Sequence, residues 1–468
     1  MSSAKPQDLV ERALSLSRTD GCVVIAEETS STNLRWAGNT LTTNGEMRGR
    51  SLTVVAIVDG KEGTASGSLS RSNVRLDELE AVVRAAEDAA RSADAAEDAR
   101  PLVPGDAVDA SRQAAFDLEP GATSSSVFGA FAPALGAAFV RARAEGRELF
   151  GFAEHDCATT YVGSSAGVRL RHEQPAGKVE ITGKSHGRSR STYVGQATRD
   201  FSDIDVDRLE AEVVRRLGWA DRAIELSPGR YDTVLPPSAV ADLMIYLYWS
   251  AAAREAFDGR TVFSRAGGGT RVGDRLSQRP VRLWSDPAHP GLQSAPFVVA
   301  SASGPASSVF DNGLELGSTD WIKDGALNAL LQTRASAELT GLTVTPAVDN
   351  LMMELPGSAG STDDLVAATT GRALLLTCLW YIREVDPQTL LLTGLTRDGV
   401  HVVDDGEVVG TATNFRFNES PVDLLDRILA ASATQPCLPR EWGDFFNRSA
   451  MPALRVEGFN MSTVSPAS

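Results

Sequence analysis

Basic residues are in the minority in this sequence. There are 45 Lys and Arg against 61 Asp and Glu, a net charge of −16. A protein that holds nucleic acid by neutralising phosphates needs the opposite balance, so direct nucleic-acid contact is not expected. Histidine is scarcer still. The five histidines, His155, His172, His186, His289 and His401, never lie within five positions of one another. That spacing excludes a local pair of zinc-binding histidines on one helix, whether H-E-x-x-H or a longer-spaced variant. Four cysteines, at 22, 157, 378 and 437, are too few and too scattered for a disulfide framework. Long apolar runs are missing as well: "RALLLTCLWYI" falls far short of the roughly 20 residues a membrane helix needs. No basic stretch followed by an apolar run opens the chain, so no signal peptide is expected. These absences point to a reduced, cytoplasmic protein.

What is present describes a globular protein, 42% hydrophobic and 23% charged, and 468 residues exceed one ordinary core. The pattern predicts an α+β fold. Residues 1–95 read as an N-terminal α+β unit. It opens with a helix in "PQDLVERALSLS" and a strand in "CVVIAEET". An antiparallel meander follows, with turns expected at Gly38-Asn39, Asn44-Gly45 and Asp59-Gly60. A second helix, "DELEAVVRAAEDAARSA", turns Leu79, Val82, Val83 and Ala86 inward. Residues 96–124, rich in Ala, Asp, Pro and Gly, read as a linker or surface excursion. Residues 125–225 form a middle α+β unit closed by the capped helix "DIDVDRLEAEVVRRLGWAD". Residues 226–468 read as a larger β-rich C-terminal domain with an apolar helix over 238–257 and a strand-like "TVF" after it. In that helix Val240, Leu243, Met244, Leu247, Tyr248 and Ala251 make one i, i+3, i+4 stripe, and Ser238 is the expected N-cap.

Motifs with chemistry are few. "HEQPAG" at 172–177 starts like a zinc motif, but a proline follows and no second histidine. A metal site built from distant ligands, such as His155, Asp156 and Cys157 with a fourth group, stays open. "GSSAG" at 163–167 satisfies G-x-S-x-G with Ser165 central, yet runs from strand to strand where a nucleophile elbow needs strand to helix. "AGGGTRVGD" lacks the spacing and the lysine of a phosphate loop and reads as a flexible or close-packed loop.

The last third carries a resemblance. "LLLTCLWYIREVDPQTLLLTGLTRDGVHVVDDGEVVGTATNFRFNESPVDLL" (374–425) and "MPALRVEGFNMSTVS" (451–465) resemble the closing block of the TldD/PmbA family. "NLRWAGNTLTTNGEMRGRSLTVVAIVDGKEGTASG" resembles its opening domain, and the order of segments agrees along nearly the whole chain. Within the family the chain looks most like the TldE (PmbA) type, in an actinobacterial style.

The resemblance implies a pair of homologous subunits. The TldD type carries H-E-x-x-x-H, two histidines for zinc and a glutamate as base for the metal-bound water, followed by an acidic pair. Anchored on "GRTVF" (259–263), that motif falls on "MIYLYW". Met244 and Trp249 then stand in place of the histidines, Ile245 in place of the glutamate, and Ala252 and Arg254 in place of the acidic pair. Cys437 falls roughly where a TldD-type subunit supplies a zinc-binding thiolate, and without histidine partners it reads as incidental.

No catalytic, cofactor-binding or metal-binding residue is therefore expected in this chain. The expectation is a partner subunit in a heterodimeric zinc peptidase, with zinc held by a TldD-type subunit and peptides or unfolded segments cleaved in a shared chamber. The alternative is an independent peptidase or amidase using His155, Asp156 and Cys157, or Ser165. Period-2 alternation puts His155 and Cys157 on one face of a strand and Asp156 on the other, which spoils a triad. A binding or regulatory role, in keeping with the family's older naming as a modulator of DNA gyrase, is a weaker third reading.

Overall fold

The structure, a computed structural model, describes residues 4–465. Its first half is built on one six-stranded antiparallel sheet. The strands are β1 (Gly21–Trp36), β2 (Leu41–Gly60), β3 (Gly63–Ser72), β4 (Glu148–Ser164), β5 (Arg169–Ser185) and β6 (Arg190–Thr198). They lie in the order β3-β2-β1-β4-β5-β6. The segments expected as separate N-terminal and middle units thus share a sheet, because β1 pairs with β4 along fourteen consecutive positions.

Alternation then decides what each face touches. Cys22, Val24 and Ala26 of β1 pack under α1 (Pro6–Leu16) and α2 (Leu79–Ser92). Leu34 and Trp36 pack under the helices Phe131–Ala144 and Val206–Trp219. The opposite face, with Val23, Ile25, Val162 and Leu170, is closed by Phe297, Val309 and Phe310 of the C-terminal region.

One expected turn forms in place, one is displaced from Asp59-Gly60 to 61–62, with Asp59 and Gly60 paired to Thr64 and Gly63, and one does not form. Gly38 and Asn39, both at positive φ (57° and 62°), make the two-residue hairpin whose twist suits the flanking strands. The Asn39 side chain is fixed by the backbone of Arg147 and Leu149. Asn44-Gly45 instead runs straight through β2, opposite Leu34 and Asn33. Cross-strand pairing overrides the local turn preference there. The 96–124 excursion is anchored by Phe116, buried edge-on against Tyr161, whose hydroxyl donates to the Leu118 carbonyl.

The C-terminal half contains two more sheets. One comprises β7 (Ala223–Ile224), β8 (Gly229–Leu235), β13 (Arg372–Leu376), β14 (Leu379–Asp386), β15 (Leu391–Thr396), β16 (Val400–Asp404), β17 (Glu407–Ala412), β18 (Phe415–Glu419), β19 (Ile428–Ala431) and β22 (Leu454–Val464). Its order is β14-β15-β18-β22-β8-β13-β16-β17-β7, with β19 added on β22. The other joins β9 (Arg282–Ser285), β10 (Thr319–Lys323), β11 (Ala326–Leu327), β12 (Leu351–Glu354), β20 (Gln435–Cys437) and β21 (Ser449–Met451). The α+β expectation holds. Among the described residues no helix is long and apolar enough to cross a membrane.

The largest core centres on one helix, Pro237–Trp249, which packs against residues of both C-terminal sheets. All six residues of its expected stripe are buried, and so are Ala239, Ala241, Asp242 and Ile245 around it. A helix apolar on every side belongs inside. Its cap differs from expectation: Pro236 is the N-cap and Pro237 the first helical residue, where a missing N–H costs nothing. Ser238 lies within the helix.

The helix also stops short of 257. The Ala251 carbonyl accepts from Leu331 N–H and Ala253 N–H donates back to Leu331, so the chain leaves the helix to make this bridge. A separate short helix, Ala253–Phe257, follows. "TVF" is a turn with Val262 and Phe263 buried, held by the Ser264 side chain on Thr261 N–H.

Candidate functional site

Met244, Ile245 and Trp249, aligned above with a metal motif, sit on the helix Pro237–Trp249 in two different settings. Met244 and Ile245 are fully buried in the core. Trp249 is 40% exposed at the helix end. Its ring lies 5.2 Å from Trp442 and 6.2 Å from Phe446, both near edge-on. Ala252 is buried against Leu331, and Arg254 is engaged by Glu97 and Asp258. A thioether, an alkyl chain and an indole do not fit a zinc ion, which takes imidazole, thiolate or carboxylate. Among the described residues no three His, Cys, Asp or Glu side chains are grouped so as to hold a metal.

Cys437 on β20 faces the same helix, its Sγ 3.4 Å from the Ser449 hydroxyl. Burial pushes its thiol up to about 12, the reverse of what a thiolate ligand requires.

Asp242 is the residue that sequence reasoning missed. Its carboxylate accepts the backbone N–H groups of Glu441 (2.9 Å) and Arg440 (3.2 Å), and its carbonyl accepts the Trp442 indole N–H at 2.9 Å. Full burial drives its pKa well above the usual carboxylate range, against the pull of those N–H groups. The available signal was a lone acid inside an otherwise apolar helix.

By this anchor the 440–446 segment is laid over the end of the helix. A groove of about 600 Å³ opens there, lined by Tyr246, Trp249, Trp442, Glu255, Ile382 and Glu384 among others. Beside it Arg440 stacks over Trp380 and Tyr193, 4.1 and 4.3 Å from the ring centres, and pairs with Glu180 of β5.

The other candidates do not come together. His155 is buried with both ring nitrogens engaged, Nδ1 by Thr123 Oγ1 (2.7 Å) and Nε2 by the Arg199 carbonyl (2.8 Å). It shares its sheet face with Cys157, while Asp156 lies on the other face with Ser31 as its strand partner. Burial raises the Cys157 thiol to about 11. Ser165 sits in the β4–β5 turn, its hydroxyl accepting Cys22 N–H. It has no histidine beside it among its hydrogen-bond partners. His172 at β5 pairs with Gln174, and burial lowers its pKa. The 266–274 loop carries Gly267, Gly268 and Gly269 at positive φ with open space around each, so backbone conformation and not close packing calls for its glycines.

Residues 228–463 match the PmbA/TldA metallopeptidase C-terminal domain, and residues 22–93 match PmbA/TldA metallopeptidase domain 1. The chain belongs to the PmbA/TldD family. The fold is also that of TldE from Thermococcus kodakarensis, at TM-score 0.76 and 16% identity over 97% of this chain and 99% of that one. A Thermotoga maritima protein titled a modulator of a DNA gyrase is similar at TM-score 0.73 and 14% identity, over 97% and 99% of the two chains. One from Bacteroides thetaiotaomicron with a like title gives 0.72 and 16%, over 98% of each. No curated protein matches the sequence. The helix Pro237–Trp249 of this family member thus carries core side chains at 244 and 245 and an aromatic cluster at 249.

Proposed function

We propose that this chain is a metal-free, TldE-type subunit that pairs with a TldD-type zinc-bearing subunit in the cytoplasm. It builds one wall of the chamber in which peptides or unfolded segments are cleaved. The observation that carries this reading is the state of the motif helix. Met244 and Ile245 are sunk in the core and Trp249 is bound into an aromatic cluster, so nothing at those positions can ligate zinc or move a proton. Family membership and an intact fold around that helix support it. Four unpaired cysteines fit a reducing compartment.

The test is the zinc content of the purified chain after mild chelation and dialysis against trace zinc. Near-zero metal, with peptidase activity appearing only on mixing with a TldD-type subunit, is the expected result. About one zinc per chain would sink the reading. The independent-enzyme alternative gains no support from the bound-up His155 and Ser165. His155→Ala or Ser165→Ala should leave the paired complex active within about a few-fold, whereas a loss of about a thousandfold would mean a site in this chain.

A further inference from the structure

The groove at the end of the motif helix has a composition of its own. Two of its walls are aromatic: the Tyr246 and Trp442 rings stand 5.7 Å apart at 56°, and Trp249 and Trp442 5.2 Å apart at 67°. All three aromatic side chains line the groove, and Trp249 remains 40% exposed despite its packed neighbours. Glu255 and Glu384 line the same groove, and neither has a basic partner among the described residues. The rim cations are already engaged, Arg260 by Asp258 and Arg383 by Glu441. Burial and repulsion from Glu255 and Asp386 hold the Glu384 carboxyl above its usual range. Two carboxylates of the groove are thus left without a cation.

Its border is β14, the outermost strand of its sheet. The N–H groups of Tyr381 and Ile382 are taken by the Glu441 carboxylate. The strand beyond them, Arg383 to Asp386, has no further strand on its outer side among the described residues. Such an edge accepts an extended chain, which would deliver alternate side chains to one face.

We infer that this groove receives a lysine or arginine side chain of an extended polypeptide lying along β14. Aromatic faces and two unpaired carboxylates are the chemistry that recognises a desolvated cation. An overall charge of −16 favours the approach of basic segments. The inference rests on the peptide-handling reading above only in taking the ligand to be a polypeptide.

The experiment uses the full chain alone. A capped, extended peptide carrying one central arginine is titrated by calorimetry and by quenching of tryptophan fluorescence, beside a twin with citrulline at that position. The arginine peptide should bind about tenfold or more tightly. Glu255→Gln/Glu384→Gln should erase the difference while its thermal melt stays that of the parent, and Trp249→Ala should weaken binding. Glu225→Gln, an exposed acid outside the groove, should change nothing. Equal binding of the twins, no binding of either, or equal binding of free arginine amide would overturn the inference. None of these readouts involves a zinc-bearing partner, so this proposal and the subunit assignment fail separately.

Discussion

The ammonium of Lys178, only 4% exposed, is bound by Asp444, a residue 266 positions later in the chain. Glu154 and Glu180 stand 3.4 and 3.6 Å away, so β4 and β5 of the first sheet meet the 440–446 segment through one buried cation. Burial alone would lower the Lys178 pKa, but the carboxylates around it raise it above the ordinary lysine range. Lys178→Met strands those acids against each other and should cost about 3 kcal/mol in urea unfolding. Asp444→Asn, at a carboxylate 72% exposed, should cost under about 1 kcal/mol. Equal losses from the two would show that the ion cluster does not join the halves of the chain.

Asp242 makes a second, independent claim. Asp242→Ala leaves the N–H groups of Arg440 and Glu441 without their acceptor and opens a small void in the core. A loss of about 2–4 kcal/mol is expected, with a red shift of tryptophan emission as the Trp442 segment loosens. Unchanged emission would mean that the segment is held elsewhere.

His401 gives the pH dependence. Buried on β16 against Trp219, with no hydrogen-bond partner for Nε2 among the described residues, it has a pKa lowered to about 3 by burial, with help from Arg216 and Arg215. The folded state refuses a proton that the unfolded chain accepts near pH 6.5. Its contribution is therefore whole above that pH and is lost as pH falls toward 3. Each unit below about 6 should cost up to about 1.4 kcal/mol from this group. His401→Asn should flatten that part of the stability profile, and an unaltered slope would refute the assignment.

All four thiols are raised by burial, Cys22 and Cys157 to about 11, Cys378 and Cys437 to about 12. At pH 8 the native chain should react with a disulfide reagent only on the timescale of unfolding, and release four equivalents at once in denaturant. Fast native reaction of one thiol would point to an accessible Cys437, the least buried of the four.

Legibility followed the range of the interactions. Strand alternation and helix periodicity report burial directly, so the helices under the first sheet, the apolar stripe from Val240 to Ala251 and the strand-to-strand setting of Ser165 were readable. The register of β1 against β4 was not, because their pairing joins residues more than a hundred positions apart and leaves no local trace. Asn44-Gly45 misled for the same reason, its turn preference yielding to the strand opposite. The helix broke at Ala251 because Leu331 offers a better backbone partner there. At the candidate site the apolar character of Met244, Ile245 and Trp249 could be read from residue types alone. The aromatic groove could not, since Trp442 and Glu384 reach Trp249 only through the fold.

The placement of β22 sets the order in which this molecule can be finished. It is the last strand among the described residues, yet it lies between β18 and β8 near the middle of the large sheet. Until residues 454–464 leave the ribosome, β14, β15 and β18 have no strand joining them to β8, β13 and β16. Two apolar half-sheets wait with open edges for one late segment. A chain cut short before residue 454 would lack a keystone, and its two half-sheets would stay apart however well each had formed.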